Sequence, residues 1–146
     1  MSIFNSINIS ATALTAEKTR IDIIAKNMAS ANTTRSTGGM PYRRQMVIFE
    51  ENKPTAFSEY LSKYTNKAEG RGVKISKIVE DESPFKLVYE PGHPDADENG
   101  YVKMPNVDMV KEMVDLISAQ RSYDANITAM NASKSMLLKA LEIGRR

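Results

Sequence analysis

Two apolar stripes at helical spacing, one near each end, constrain this chain more than any other feature. Phe4, Ile7, Ala11, Leu14, Lys18, Ile21, Ala25 and Met28 fall at alternating intervals of three and four, with Lys18 the one member that is not apolar. Positions so spaced share one side of an α-helix, and a stripe this narrow and this long makes the seam of a coiled coil. The second stripe runs Met109, Met113, Leu116, Gln120, Tyr123, Ile127, Met130, Lys134, Leu137 and Leu141, and closes at Gly144 before the basic pair Arg145-Arg146. At 1.5 Å per residue the first helix spans roughly 40 Å and the second about 60 Å.

The part between the stripes is too short and too polar to cover both, so the seams cover each other most simply as a coiled coil. The longer second stripe outruns its partner and needs either the middle segment or a neighbouring molecule. The expected fold is therefore mainly α: paired long terminal helices with a small β-rich or irregular middle. The three segments are 1–35, 36–105 and 106–146, within one structural domain. The 146 residues suit a single domain with one modest core.

Ser36-Thr37-Gly38-Gly39-Met40-Pro41 breaks the first helix beyond Asn32-Thr33-Thr34, because side chains that compete for backbone bonds give way to Gly and Pro. Gln45–Phe49, Val73–Glu80 and Lys86–Glu90 read as strands, Glu90–Pro94 as a rigid loop, and Phe57–Tyr64 suits either a short helix or a loop. The second helix is expected from Asn106 as N-cap, with Asp108 and Glu112 favouring the positive end of its dipole.

Composition narrows the function. With 20 basic and 18 acidic residues the net charge is +2, so no phosphate-binding surplus exists, and Arg43-Arg44 reads as a solvated strand end. The absence of cysteine excludes disulfides, thiolate nucleophiles and Cys-type zinc sites. The N-terminus lacks the basic segment and apolar run of a secretory signal, and no stretch approaches a membrane span. Leaving the cytosol would require a route independent of a cleaved signal.

Asp95-Ala96-Asp97-Glu98-Asn99-Gly100 imitates the start of a calcium loop, but position twelve is Asn106 and the prolines before it forbid the incoming helix, so a polar turn is favoured. His93, the one histidine, lacks companion ligands or a nucleophile motif, which favours a loop surface over a metal or acid–base site. No catalytic residue, metal or cofactor is expected. The methionines around the second helix read as core packing or an adaptable interface.

Three tracts carry a family resemblance. They are Ala13–Ala16 with Ile24–Thr33, then Leu87–Asp97 with Gly100–Val107, and Glu112–Val114 with Ala119–Asn126. The first and third resemble signatures of the flagellar rod and hook axial-protein family. The middle one, Val-Tyr-Glu-Pro-Gly and Gly-Tyr-Val-Lys-Met-Pro-Asn-Val, resembles its proximal-rod branch, and Ser30 departs from the family pattern, which usually has Asn there. The resemblance implies a non-enzymatic structural subunit that polymerises through its terminal helices into a torque-transmitting rod across the periplasm. Its implied partners are other proximal and distal rod subunits, the hook–basal-body junction protein, the MS ring region and the flagellar type III export apparatus, with no nucleic acid or small-molecule substrate. The implied assembly surface comprises Phe4, Ile7, Leu14, Ile21, Asn27, Met28 and Asn32, together with Met109, Met113, Leu116, Tyr123, Asn126, Ile127, Met130, Leu137 and Leu141. From the residues alone, a soluble coiled-coil adaptor binding a partner helix is the alternative, and a small hydrolase built on His93 a more distant one.

Overall fold

The computed structural model describes residues 3–36, 38–52 and 71–144. Its elements are α1 (Ile3–Ala29), β1 (Gln45–Glu51), β2 (Val73–Glu80), β3 (Lys86–Tyr89), β4 (Tyr101–Met104) and α2 (Met109–Gly144). Two terminal helices flank a small β middle. Among the described residues helix takes 51% and strand 19%, so mainly α holds only roughly. The ambiguous Phe57–Tyr64 segment and Arg145-Arg146 lie outside the described residues.

Helix α1 contains neither Gly nor Pro and ends at Ala29, earlier than the expected Asn32–Thr34. The Ser30 N–H still reaches Lys26 O at 3.0 Å, but that of Ala31 takes Met28 O at 3.3 Å, the tightened last turn that closes a helix. Asn32 consequently sits in a turn. The start of α2 also differs from expectation. Asp108, not Asn106, is the cap: its Oδ1 accepts the N–H groups of Val110 (3.0 Å) and Lys111 (3.4 Å). Asn106 cannot cap, because its side chain is held elsewhere.

Strands β1 and β2 form one two-stranded sheet and β3 and β4 another. The first pair is antiparallel, since Asn52 past β1 donates to Gly72 before β2, and Asp81 past β2 donates to Arg44 before β1, both at 2.8 Å. In the second pair Lys86 faces Met104, Leu87 faces Lys103, Val88 faces Val102 and Tyr89 faces Tyr101. Strand β4 was not expected from the sequence. Gly100, at φ 79°, closes this hairpin in a conformation that suits glycine.

The chain forms two compact units, one of Met1–Thr19, Phe49–Ser76 and Gln120–Arg146, the other of Arg20–Ile48 and Lys77–Ala119. Each takes part of α1, part of the β1–β2 pair and part of α2. In the first, Ser6 Oγ and Ser133 Oγ form a 3.4 Å hydrogen bond between the helices, and Val73 N–H donates to Thr12 Oγ1 at 3.2 Å. A Cβ on Gly72 would overlap Thr12 Oγ1, so only glycine lets α1 and the start of β2 approach this closely. In the second, Ile24, Val102, Pro105, Val107 and Ala119 are buried.

Candidate functional site

The second unit is held by polar groups to an unusual degree. Asn27 on α1 is 1% exposed and all its amide hydrogen-bonding capacity is used. Its Nδ2 donates to Gln45 O (2.8 Å) and Glu112 Oε2 (3.0 Å), and its Oδ1 accepts from Tyr42 Oη–H and Gln45 N–H, both at 2.9 Å. Glu112, on the first turn of α2, is completely buried. It faces Arg44, whose Nε donates to Glu112 Oε1 at 2.7 Å, while Nη2 reaches Asp115 Oδ2 at 3.4 Å and Nη1 lies 3.8 Å from Asp81 Oδ2. The Arg44 N–H donates to Asn106 Oδ1 at 2.8 Å, and Asn106 Nδ2 donates to Asp81 O at 3.0 Å.

This clamp joins α1, the start of β1, the end of β2 and α2. A buried carboxylate is tolerable only when fully paired, and Glu112 is held by a charge-assisted bond and an amide. Burial, with Glu112 and Glu80 nearby, raises the Tyr42 hydroxyl above its ordinary pKa of 10.0. The backbone and hydroxyl hydrogen bonds of Ser83 hold the Asp81 carboxyl below its ordinary value of 3.8, helped by Arg44 and Lys111.

The reading of Arg43-Arg44 as a solvated strand end is thus corrected. Arg44 is mostly enclosed in the clamp, its side chain 12% exposed, and Arg43 lies 4.5 Å over the Phe85 ring while donating to Asp81 O at 3.1 Å. Glu112 likewise does more than favour the helix dipole. No sequence periodicity marks such a pair, because a charge on a helix ordinarily faces solvent.

The helical residues singled out in the sequence occupy graded depths. Ile7, Leu14, Ile21 and Met28 on α1 are partly buried, as are Leu116, Tyr123, Asn126, Ile127, Met130 and Leu137 on α2. Phe4, Asn32, Met109, Met113 and Leu141 are exposed. The deepest residues are instead Ala16, Ile24 and Asn27 on α1, and Glu112, Ala119 and Ser133 on α2. On α2 this line lies one residue before the apolar stripe at Met113, Gln120 and Lys134. Three of these six, Ala16, Ala119 and Ser133, are small, while Ile24, Asn27 and Glu112 bring larger side chains into the second unit.

The loop between β3 and β4 is internally satisfied. Asp95 accepts from Thr34 Oγ1 (2.9 Å) and pairs with Arg35 (3.0 Å), while the Asp95 N–H donates to His93 Nδ1 at 3.0 Å. Asp97 Oδ1 accepts the N–H groups of Asn99 and Tyr101, which makes the calcium-like stretch a polar turn. Among the described residues no His, Asp or Glu cluster could hold a metal ion. No described helix is long and apolar enough to cross a membrane.

The family described as Flagellar basal body rod FlgEFG protein C-terminal matches residues 98–143, which hold β4 and nearly all of α2. The chain is 52% identical to the flagellar basal-body rod protein FlgC of Bacillus subtilis, covering 99% of this chain and 100% of that one. It is 47% identical to FlgC of Borreliella burgdorferi over 98% of each chain, and 43% identical to FlgC of Escherichia coli over 99% of this chain and 100% of that one. Identity at this level along essentially the whole of both chains means that the protein belongs to the FlgC family of flagellar basal-body rod proteins.

Proposed function

We propose that the chain is a structural subunit of the proximal rod of the bacterial flagellum, polymerising through its terminal helices into the shaft that carries torque across the periplasm to the hook. The observation that carries this reading is the near-full-length identity to rod proteins. The helices support it. Within the first unit Ser6 bonds to Ser133, and within the second Asn27 bonds to Glu112, so part of α1 meets part of α2 in each. Such contacts support reading the two terminal helices as a pair.

In this reading the partners are other proximal and distal rod subunits, the junction protein and the MS ring region. The type III apparatus exports the chain without a cleaved signal. Terminal helices that are marginal alone gain order by mass action when neighbours dock. Antibody labelling of purified basal bodies tests the assignment. Label is expected on the rod between the MS ring and the hook; label confined to the cytoplasm of cells with finished flagella would sink it and favour the soluble adaptor.

A further inference from the structure

We propose that two copies of this chain join through β3, edge to edge and antiparallel, in a single register centred on Val88. The contact uses neither terminal helix and stands apart from the rod reading. Strand β3 belongs to the second unit, in which every residue except Thr37 is described, and it is exposed along its whole length, with Leu87 and Tyr89 each at 63%.

The two edges of the β3–β4 hairpin are unlike. Glu90 N–H donates to Gly100 O at 2.9 Å, so these two face each other as a hydrogen-bonded pair, and by alternation so do Val88 with Val102 and Lys86 with Met104. The main-chain groups of Leu87, Tyr89, Tyr101 and Lys103 therefore point away from the hairpin. On β4 those of Tyr101 are taken, its N–H by Asp97 Oδ1 at 2.8 Å and its C=O by the Asp97 N–H at 2.9 Å. On β3, among the described residues, no hydrogen bond reaches the outward groups of Leu87 or Tyr89. Native sheets blunt exposed edges, and an edge left bare is a template for another strand. This hairpin blunts only one of its two.

A second β3, related by a two-fold axis through Val88, fits that edge. Leu87 then faces Tyr89 of the second copy and Tyr89 faces its Leu87, each pair exchanging both main-chain bonds, so every outward N–H and C=O of these residues is used. Lys86 falls opposite Glu90 at both ends, and the apolar side chains of Leu87 and Tyr89 lie side by side on the exposed face. A lysine on an edge ordinarily discourages pairing; the carboxylate across from it here turns it to attraction. The adjacent registers fail. An axis through Tyr89 sets Pro91, which has no N–H, against Leu87, and an axis through Leu87 sets Pro84 against Glu90 and Val88 against Lys86. The joined sheet runs in the order β4, β3, β3, β4, and ends on edges that Asp97 blunts, so association stops at the pair. Being two-fold and closed, the contact belongs to the free chain and not to a shaft whose copies repeat along one direction. So few residues make a small interface, and the pair forms reversibly with concentration.

The chain has no cysteine, so one introduced thiol reports the register. Val88 meets its own counterpart in a non-hydrogen-bonded pair, with Cα atoms about 4.5 Å apart and within disulfide range. Full-length Val88→Cys, oxidised at high concentration and read on a non-reducing gel, should give about tenfold more dimer than Leu87→Cys or Lys103→Cys, because pairing raises the local concentration of that thiol alone. Val88→Cys/Glu90→Lys, which sets lysine against lysine, should lose most of that excess. The parent protein supplies a readout free of substitution. Amide exchange at Leu87 and Tyr89 should slow about tenfold from dilute to concentrated samples, while Val88, bonded to Val102, stays protected in both. Equal dimer yields, more dimer from Leu87→Cys than from Val88→Cys, or exchange at Leu87 and Tyr89 that ignores concentration would overturn the pairing. Cross-links from Val88→Cys in cells that reach only other proteins would overturn it too and give the edge to a different chain. Each of these results bears on the pairing alone, and the rod assignment stands or falls by the antibody labelling.

Discussion

Replacing Glu112 with leucine tests the polar clamp most directly. Leucine is of similar bulk, so little cavity forms, but Arg44 loses its 2.7 Å partner and Asn27 Nδ2 loses one of two acceptors. Breaking a buried pair from one side costs about 3–5 kcal/mol, because the remaining charge stays buried. Arg44, whose side chain is 12% exposed, keeps Asp115 and a longer contact to Asp81, which sets the expected cost near the lower end, about 3 kcal/mol. Against a total stability of roughly 5–15 kcal/mol that is a large share. With a urea m-value of about 2 kcal/mol/M, the midpoint should fall by roughly 1.5 M, followed by circular dichroism at helix wavelengths.

The decisive comparison is Arg44→Leu/Glu112→Leu. Removing both charges leaves Asp81 and Asp115, which are partly exposed and can hydrate, so the double variant should be more stable than Glu112→Leu alone by about 1–2 kcal/mol. Single-variant costs that simply add in the double variant, or a Glu112→Leu midpoint within 0.3 M of the parent (about 0.6 kcal/mol), would refute the view that a desolvated charge pair holds this unit.

Three further outcomes follow from the geometry. Tyr42→Phe should cost about 1 kcal/mol at neutral pH by losing its bond to Asn27 Oδ1; because the folded-state pKa of Tyr42 is raised above 10.0, the parent loses stability as pH climbs above 10, and its advantage over Tyr42→Phe should shrink there in paired urea titrations. Gly72→Ala should destabilise the first unit by roughly 1–3 kcal/mol, and Thr12→Ala, harmful in the parent because it removes the acceptor for Val73 N–H, should become stabilising in the Gly72→Ala background, a reversal that thermal melts would detect. Asp108→Ala should cost about 1 kcal/mol and speed amide exchange at Val110 and Lys111, whereas Asn106→Ala should leave those two amides protected.

Much of the fold was legible because periodicity and turn chemistry report backbone geometry. Both helices follow from spacing, and β2 matches its expected limits because Gly72 before it and the acidic run after it punctuate an alternating apolar strand. Strand β4 went unread although Tyr101, Val102, Lys103 and Met104 alternate between Gly100 and Pro105. Its four residues are short beside the loop signals around them, and its pairing with β3 is a contact that local pattern does not carry. The N-cap was misplaced for a related reason. Asn106 and Asp108 are both good caps, and what decides between them is that Asn106 is already engaged by Arg44 and Asp81, distant in sequence. The clamp was the least legible feature, since burial of Glu112 and Asn27 depends on side chains from four separate elements converging.

Rotation of α2 about its own axis joins these points. An amphipathic helix in a monomer ordinarily turns its apolar sector inward and its charges outward. Over its first turns α2 does the reverse: Glu112 and Asp115 face Arg44, while Met109, Val110, Met113, Val114 and Ile117 face out. Turning the helix to bury that sector would leave Arg44 without carboxylates and Asn27 without its second acceptor, at a cost of several kcal/mol. The clamp therefore fixes the rotation, and with it which side chains reach solvent. A lone molecule gains nothing from presenting its apolar residues this way. In the rod proposed above, neighbours covering that sector would supply the hydrophobic contribution on assembly instead of on folding, and the polar pairing would keep the two events separate.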